Sequence, residues 1–282
     1  MPPPRTHTIN AGGFTTRYWE CAPPGQPEGT VVLVHDGAFG GDAIGSWAGV
    51  MPILAKHYRV LAPDMLGYGD TDKVVYLDRS PYSFRTAHLA AFCAALDVDA
   101  AHFAGQSFGG SLLLRALATP APTLPALSAV SICGTGGPWR STKGTTELAR
   151  FDGTEEDVHR LVALMTDDYA GFDKTVQVRY ANTRKPGHVP ACLAPRLRHP
   201  TLPKPDSPDD WPTPLRDSPV PVLVVEGTRD DLLEPDWGRH FENLSPQVHV
   251  HRMDARHAPN LDQPETVAAL LRTFFTQGRG TP

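Results

Sequence analysis

The residues of this chain with the clearest chemical potential are Gly105-Gln106-Ser107-Phe108-Gly109. A short apolar run, AHFA, precedes them, and GGSLLLRALA follows with helical spacing. Strand, G-x-S-x-G and helix together make the context of a nucleophile elbow. The turn must be tight, so small residues have to flank the serine. It lifts the hydroxyl out of a sheet and sets it at a helix N-terminus, where developing negative charge is favoured. Ser107 is therefore the candidate nucleophile.

A serine hydroxyl is weakly nucleophilic at its free pKa and needs a base. Of the twelve histidines, His57, His88, His159, His188, His199 and His240 have no motif around them, and His249 and His251 alternate within a strand-like run. His257 differs. It follows the last apolar run and precedes the closing helix, in Arg256-His257-Ala258-Pro259-Asn260. The chain order Ser…Asp/Glu…His then puts the acid after the preceding strand. That stretch reads Val224-Val225-Glu226-Gly227-Thr228-Arg229-Asp230-Asp231. Asp230 is favoured as the residue that orients the imidazole, with Asp231 in reserve. An oxyanion needs two backbone N–H groups. Phe108, after the nucleophile, is expected to supply one, and Gly37, in the loop His35-Asp36-Gly37-Ala38-Phe39-Gly40-Gly41, the other.

These residues need a scaffold that brings strand ends together. Short apolar runs lie at 31–34 (VVLV), 58–62 (YRVLA), 101–104 (AHFA), 127–133 (LSAVSIC), 220–225 (VPVLVV) and 248–253 (VHVHRM). Runs this short and apolar predict strands buried on both faces. Helical spacing occurs over 82–96, 111–118 and 265–275. The alternation predicts an α/β fold with a mostly parallel, doubly wound sheet. The rhythm breaks from 138 to 219. Within that stretch 155–182 is amphipathic and helical, while 185–221 is crowded with proline, which forbids long regular elements. A structureless loop of that length does not fit a compact domain. The expected organisation is a core of 1–137 and 220–282 interrupted by a largely helical cap at 138–219.

Composition narrows the partners. The chain has 282 residues, 40% hydrophobic and 20% charged, enough to bury a sizeable core. The net charge is −5 with signs mixed along the chain, so the basic stripe of a nucleic-acid binder is missing. Residues 1–11 lack the apolar core of a signal peptide, and no apolar run reaches membrane-spanning length. A cytoplasmic protein acting on a small molecule is expected. Cys21, Cys93, Cys133 and Cys192 lack metal or redox spacing, and neither a metal nor another cofactor is expected.

The His-x-Gly loop, Ala62-Pro63-Asp64-Met65-Leu66-Gly67-Tyr68-Gly69, the elbow, Gly227-x-x-Asp230 and His257-Ala258-Pro259-Asn260 together resemble the α/β-hydrolase superfamily. The resemblance covers nearly the whole chain outside the cap. Residues 46–72 and 132–137, with the early cap at 161–187, are similar to the meta-cleavage-product hydrolases, which hydrolyse a carbon–carbon bond in vinylogous 1,5-diketones. The resemblance implies an α/β-hydrolase fold, enol-to-keto tautomerisation before cleavage, and room for a homodimer. It also implies that Arg179 holds a substrate carboxylate, as a guanidinium can do bidentately; the other reading of Arg179 is a solvent-facing helix residue. Gln106 and Ala38 join Arg179 as expected substrate-binding residues. Three departures bear on the substrate: Gln106 where the family has Asn, Ala258 where it has Trp, and Asp36 where it has Gly. Asp36 is expected to tolerate a left-handed backbone there. An esterase or lactonase on the same residues is the alternative enzyme, and a ligand receptor on this scaffold the non-catalytic one.

Overall fold

The computed structural model describes residues 3–119, 121–197 and 209–277. In chain order, β1 (Arg5–Ala11) and β2 (Phe14–Cys21) form a hairpin, followed by β3 (Thr30–Val34), α1 (Ala43–Trp47), α2 (Met51–Leu54), β4 (Arg59–Pro63) and α3 (Pro81–Ala95). Then come β5 (Ala101–Gln106), α4 (Phe108–Leu117) and β6 (Ala126–Ile132). The four helices α5 (Thr142–Thr146), α6 (Glu155–Met165), α7 (Phe172–Thr183) and α8 (His188–Leu193) precede β7 (Val222–Gly227). The chain closes with β8 (Val248–Met253), α9 (Pro259–Asp262) and α10 (Pro264–Gln277).

The eight strands form one sheet in the order β1-β2-β4-β3-β5-β6-β7-β8. The pairs β1–β2 and β2–β4 are antiparallel, and all others are parallel. This is the α/β-hydrolase fold, with helices flanking the sheet. The central strands β5 and β7 are buried at every residue, as expected for parallel strands covered on both faces. All six expected strands form, each within two residues of its apolar run at the start. The hairpin β1–β2 was not expected. Its first strand is polar and exposed over most of its length and carries no apolar signal.

Helix starts follow local chemistry. Ser80 accepts a hydrogen bond from the Tyr82 N–H and Pro81 occupies the first turn of α3. Thr154 caps α6 by accepting from the Asp157 N–H, ahead of an acidic first turn.

Strands β6 and β7 are neighbours in the sheet, yet the chain between them carries α5 to α8. The amphipathic stretch at 155–182 resolves into α6 and α7, which pack together through Val158, Val162 and Val176. The proline-crowded half yields α8 and a 3-10 turn at Thr213–Asp217, while 198–208 lie outside the described residues. Among the described residues no helix is long and apolar enough to cross a membrane.

Candidate active site

Ser107 sits between β5 and α4 with φ 55° and ψ −114°. A non-glycine residue at positive φ is strained, and such strain persists only where the surroundings enforce it. Here the surroundings do. The Ser107 N–H donates to the Ile132 carbonyl at 2.8 Å, which ties the turn to β6. A Cβ at Gly105 would overlap the backbone of Gly109, and one at Gly109 would overlap the carbonyls of Val34 and His35. The two glycines of G-x-S-x-G are thus required by close approach of backbone.

The loop after β8 brings His257 to the serine. Its Nε2 lies 2.8 Å from Ser107 Oγ and its Nδ1 2.7 Å from Asp230 Oδ2. Both His257 and Asp230 side chains are buried. The other Asp230 oxygen accepts from the Leu232 N–H at 2.9 Å, so the carboxylate is held on two sides. Asp231 turns away, to Lys143 at 2.9 Å and Arg256 at 3.6 Å. A serine, an imidazole and a buried carboxylate in one hydrogen-bonded line can move a proton from Oγ to Nε2 while the carboxylate stabilises the imidazolium.

Gly37 and Phe108 are in close approach: a Cβ at Gly37 would stand 2.7 Å from Phe108 Cβ. Tyr68 donates its hydroxyl to the Gly37 carbonyl at 2.9 Å, fixing the plane of that peptide. Neither the Gly37 nor the Phe108 N–H has an acceptor among the described residues. Two free amides beside Ser107 are what an oxyanion requires.

A cavity of about 230 Å³ opens on Ser107 and His257. Gly37, Ala38 and Phe108 form part of its wall. The lining includes Tyr68, Tyr82, Arg85 and Cys192 as well as the apolar side chains of Leu148, Met165, Leu232 and Leu233. Arg140 stands exposed at the edge.

Gln106 and Arg179 are placed elsewhere. Gln106 is fully buried and donates from Nε2 to the His257 carbonyl at 2.8 Å, holding the histidine loop against β5. Arg179, on α7, is buried outside the cavity wall and clasps Asp36 through both η nitrogens, at 3.1 and 2.6 Å. It is therefore not solvent-facing. Burial alone would push the Asp36 carboxyl up, but the Arg179 charge and hydrogen bonds hold it well below the usual carboxylate range. Asp36 is not among the residues with a left-handed backbone, so the aspartate serves this ion pair rather than an unusual turn.

The same helices grip the rest of the loop. Asn182 donates to the Gly40 carbonyl at 3.0 Å, and the Gly40 N–H donates to His188 Nε2 at 2.8 Å. Burial holds His188 at about 4, keeping the ring neutral and able to accept. On the other side, Ala258 N–H donates to the Met165 carbonyl at 2.9 Å, and Arg256 donates to the carbonyls of Ala163 and Thr166. The segment between β6 and β7 is thus joined to both the glycine loop and the histidine loop.

Sequence reasoning missed Arg85. The available signal was a charged residue on a helix face shared with Leu89 and Phe92, at i+4 and i+7, all of them buried.

Among the described residues one group of potential metal ligands comes close together: Cys133, Asp230 and His257, within 4.8 Å. Two of them already hydrogen-bond to each other. Burial, with the Asp230 charge adding to it, pushes the Cys133 thiol well above its usual range, so it is not a thiolate.

Fold and site together define a hydrolase with a serine at a nucleophile elbow. The pattern of the alpha/beta hydrolase family matches residues 31–270, and the chain belongs to that family. It is 33% identical over 252 residues to a 2-hydroxy-6-oxo-6-(2'-aminophenyl)hexa-2,4-dienoic acid hydrolase of Metapseudomonas resinovorans, covering 82% of this chain and 80% of that one. It is 32% identical over 257 residues to a 2-hydroxy-6-oxo-2,4-heptadienoate hydrolase of Pseudomonas putida, covering 86% of each. Among solved structures, a serine hydrolase involved in carbazole degradation superposes with a TM-score of 0.78 at 27% identity, covering 97% of this chain and 99% of that one.

Proposed function

We propose that this chain hydrolyses a carbon–carbon bond in a vinylogous diketone bearing a dienoate, with Ser107, His257 and Asp230 as its catalytic residues. The observation that carries the reading is the Ser107–His257–Asp230 hydrogen-bonded line on the wall of a partly apolar cavity. Two relatives of similar length that are named as dienoate hydrolases supply the bond type. The helices between β6 and β7 act as a cap over the site.

The substrate first passes from its dienol to its keto form, as the family resemblance implies. His257 Nε2 then takes the proton from Ser107 Oγ, or from a water, as the oxygen adds to the ketone carbon. The resulting oxyanion is held by the Gly37 and Phe108 N–H groups. The carbon–carbon bond breaks with its electron pair going to the dienolate fragment. His257 returns the proton to that carbon. If the serine is acylated, water attacks the acyl group by the same proton path in reverse.

A second reading is a carboxylic ester hydrolase on the same residues. Its support is the Asp36–Arg179 pair, which withdraws the arginine that the resemblance assigns to a substrate carboxylate. Turnover by the wild-type protein separates the two. Bleaching of a coloured meta-cleavage dienoate is expected, with slower turnover of an aryl ester. Ester turnover with no loss of dienoate colour would leave the second reading and remove the first.

A further inference from the structure

Two arginines of this chain are buried to the same degree, with 2% of each exposed, and they differ in what answers their charge. Arg179 is matched by a buried carboxylate. Arg85 has none. Its Nε donates to the Leu66 carbonyl at 3.0 Å, but neither Nη1 nor Nη2 has a partner among the described residues. The charged and titratable groups that face it are the Tyr68 phenol, the Cys192 thiol and, on its own helix, His88. None of these is a carboxylate, and burial keeps His88 largely neutral, at about 4. A guanidinium stays protonated in a protein. Burying one without an anion costs several kcal/mol, and such a charge is normally paired.

The surroundings of Arg85 stabilise the cation without using its hydrogen bonds. The guanidinium carbon lies 4.6 Å from the ring centre of Phe84 and 5.3 Å from those of Tyr68 and Phe108. Aromatic faces attract a cation but leave its N–H edges free. Arg85 is also part of the cavity wall, which Tyr68 and Phe108 line too. Phe108 links the two functions. Its N–H is one candidate oxyanion donor, and its ring touches the Arg85 cation.

We propose that Arg85 is the anion subsite of this cavity, taking the carboxylate of a small conjugated acid on its two free η nitrogens. The inference names the substrate class for the reaction proposed above and rests on that reading for its orientation. In this orientation the carboxylate lies on Arg85, the reacting carbonyl at Ser107 and the remainder of the molecule against Leu148, Met165, Leu232 and Leu233, all of which line the same cavity. The acid end is thus recognised from α3 in the core, not from α7. A planar carboxylate fits two parallel N–H donors better than a single-point anion does.

The test is binding of sorbate and of its neutral amide, sorbamide, to the full chain by calorimetry. Neither compound contains the bond to be hydrolysed. Wild type is expected to bind sorbate at least about tenfold more tightly than sorbamide. Arg85→Met is expected to abolish that preference while changing sorbamide affinity by less than about threefold. Arg85→Lys, which keeps the charge but not the planar fork, is expected to retain part of it. Wild type showing no preference for sorbate, including no binding of either compound, would overturn the proposal whether or not the variants fold. So would an Arg85→Met protein that keeps the preference. A protein that prefers sorbate yet fails to bleach the dienoate would keep this subsite and lose the proposed reaction.

Discussion

Asp230 and Asp231 are adjacent in the chain and opposite in circumstance. The first is buried, 2.7 Å from His257 Nδ1, and the second is exposed beside Lys143. Carboxylate-to-amide exchange should separate them. Asp230→Asn keeps the shape but donates where the imidazole also donates, so the ring takes the wrong tautomer. Turnover should fall by about 10³–10⁴-fold. Asp231→Asn weakens only the pairs that an exposed carboxylate makes with Lys143 and Arg256 and should stay within about threefold of wild type. Steady-state rates of the two variants on one substrate check both. Local motifs carried Ser107, His257 and Asp230 because each follows a strand at a characteristic spacing. Arg85 and Asp36 were not legible in the same way. The pairing of Asp36 with Arg179 spans 143 positions, and the want of partners for the Arg85 η nitrogens among the described residues is visible only when the whole surroundings are known.

The glycine loop after β3 is held from outside by helices that arrive much later in the chain. Arg179, Asn182 and His188, on α7 and α8, grip Asp36 and Gly40. The Asp36–Arg179 pair is buried at both ends, so removing one end strands a charge. Arg179→Met should lower stability by about 3–5 kcal/mol. Adding Asp36→Leu should restore part of that loss. Recovery should be incomplete, because Asp36 also accepts from the Ala38 N–H and the Ser46 hydroxyl. Urea denaturation midpoints of the two proteins measure this coupling; equal loss in single and double variants would contradict it. Elements with strong apolar signals were legible to within a few residues. The hairpin β1–β2 was not, since an exposed edge strand buries too little to show a pattern. The helical expectation at 155–182 covered two helices because both contribute apolar residues to one small cluster, which blurs the break between them.

At the scale of the molecule, the parallel sheet sets the ends of β3, β5, β7 and β8 along one edge, with β6 between β5 and β7, and each of the loops that follow contributes one part of the site. Those parts are the free amide of Gly37, the strained Ser107, the buried Asp230 and His257. The segment between β6 and β7 is joined by hydrogen bonds to two of those loops. The alternation of apolar runs and helical spacing made this architecture readable, because the parallel sheet requires both. The substrate was less readable, since it depends on which arginine is already answered by a carboxylate. In the proposed reaction Ser107 performs the chemistry. That role is tested most directly by following dienoate colour with wild type and Ser107→Ala at equal concentration, after both show the same circular dichroism. Ser107→Ala is expected to lose at least about 10³-fold in rate. A variant that bleaches the dienoate within about tenfold of wild type would show that the serine does not carry the reaction.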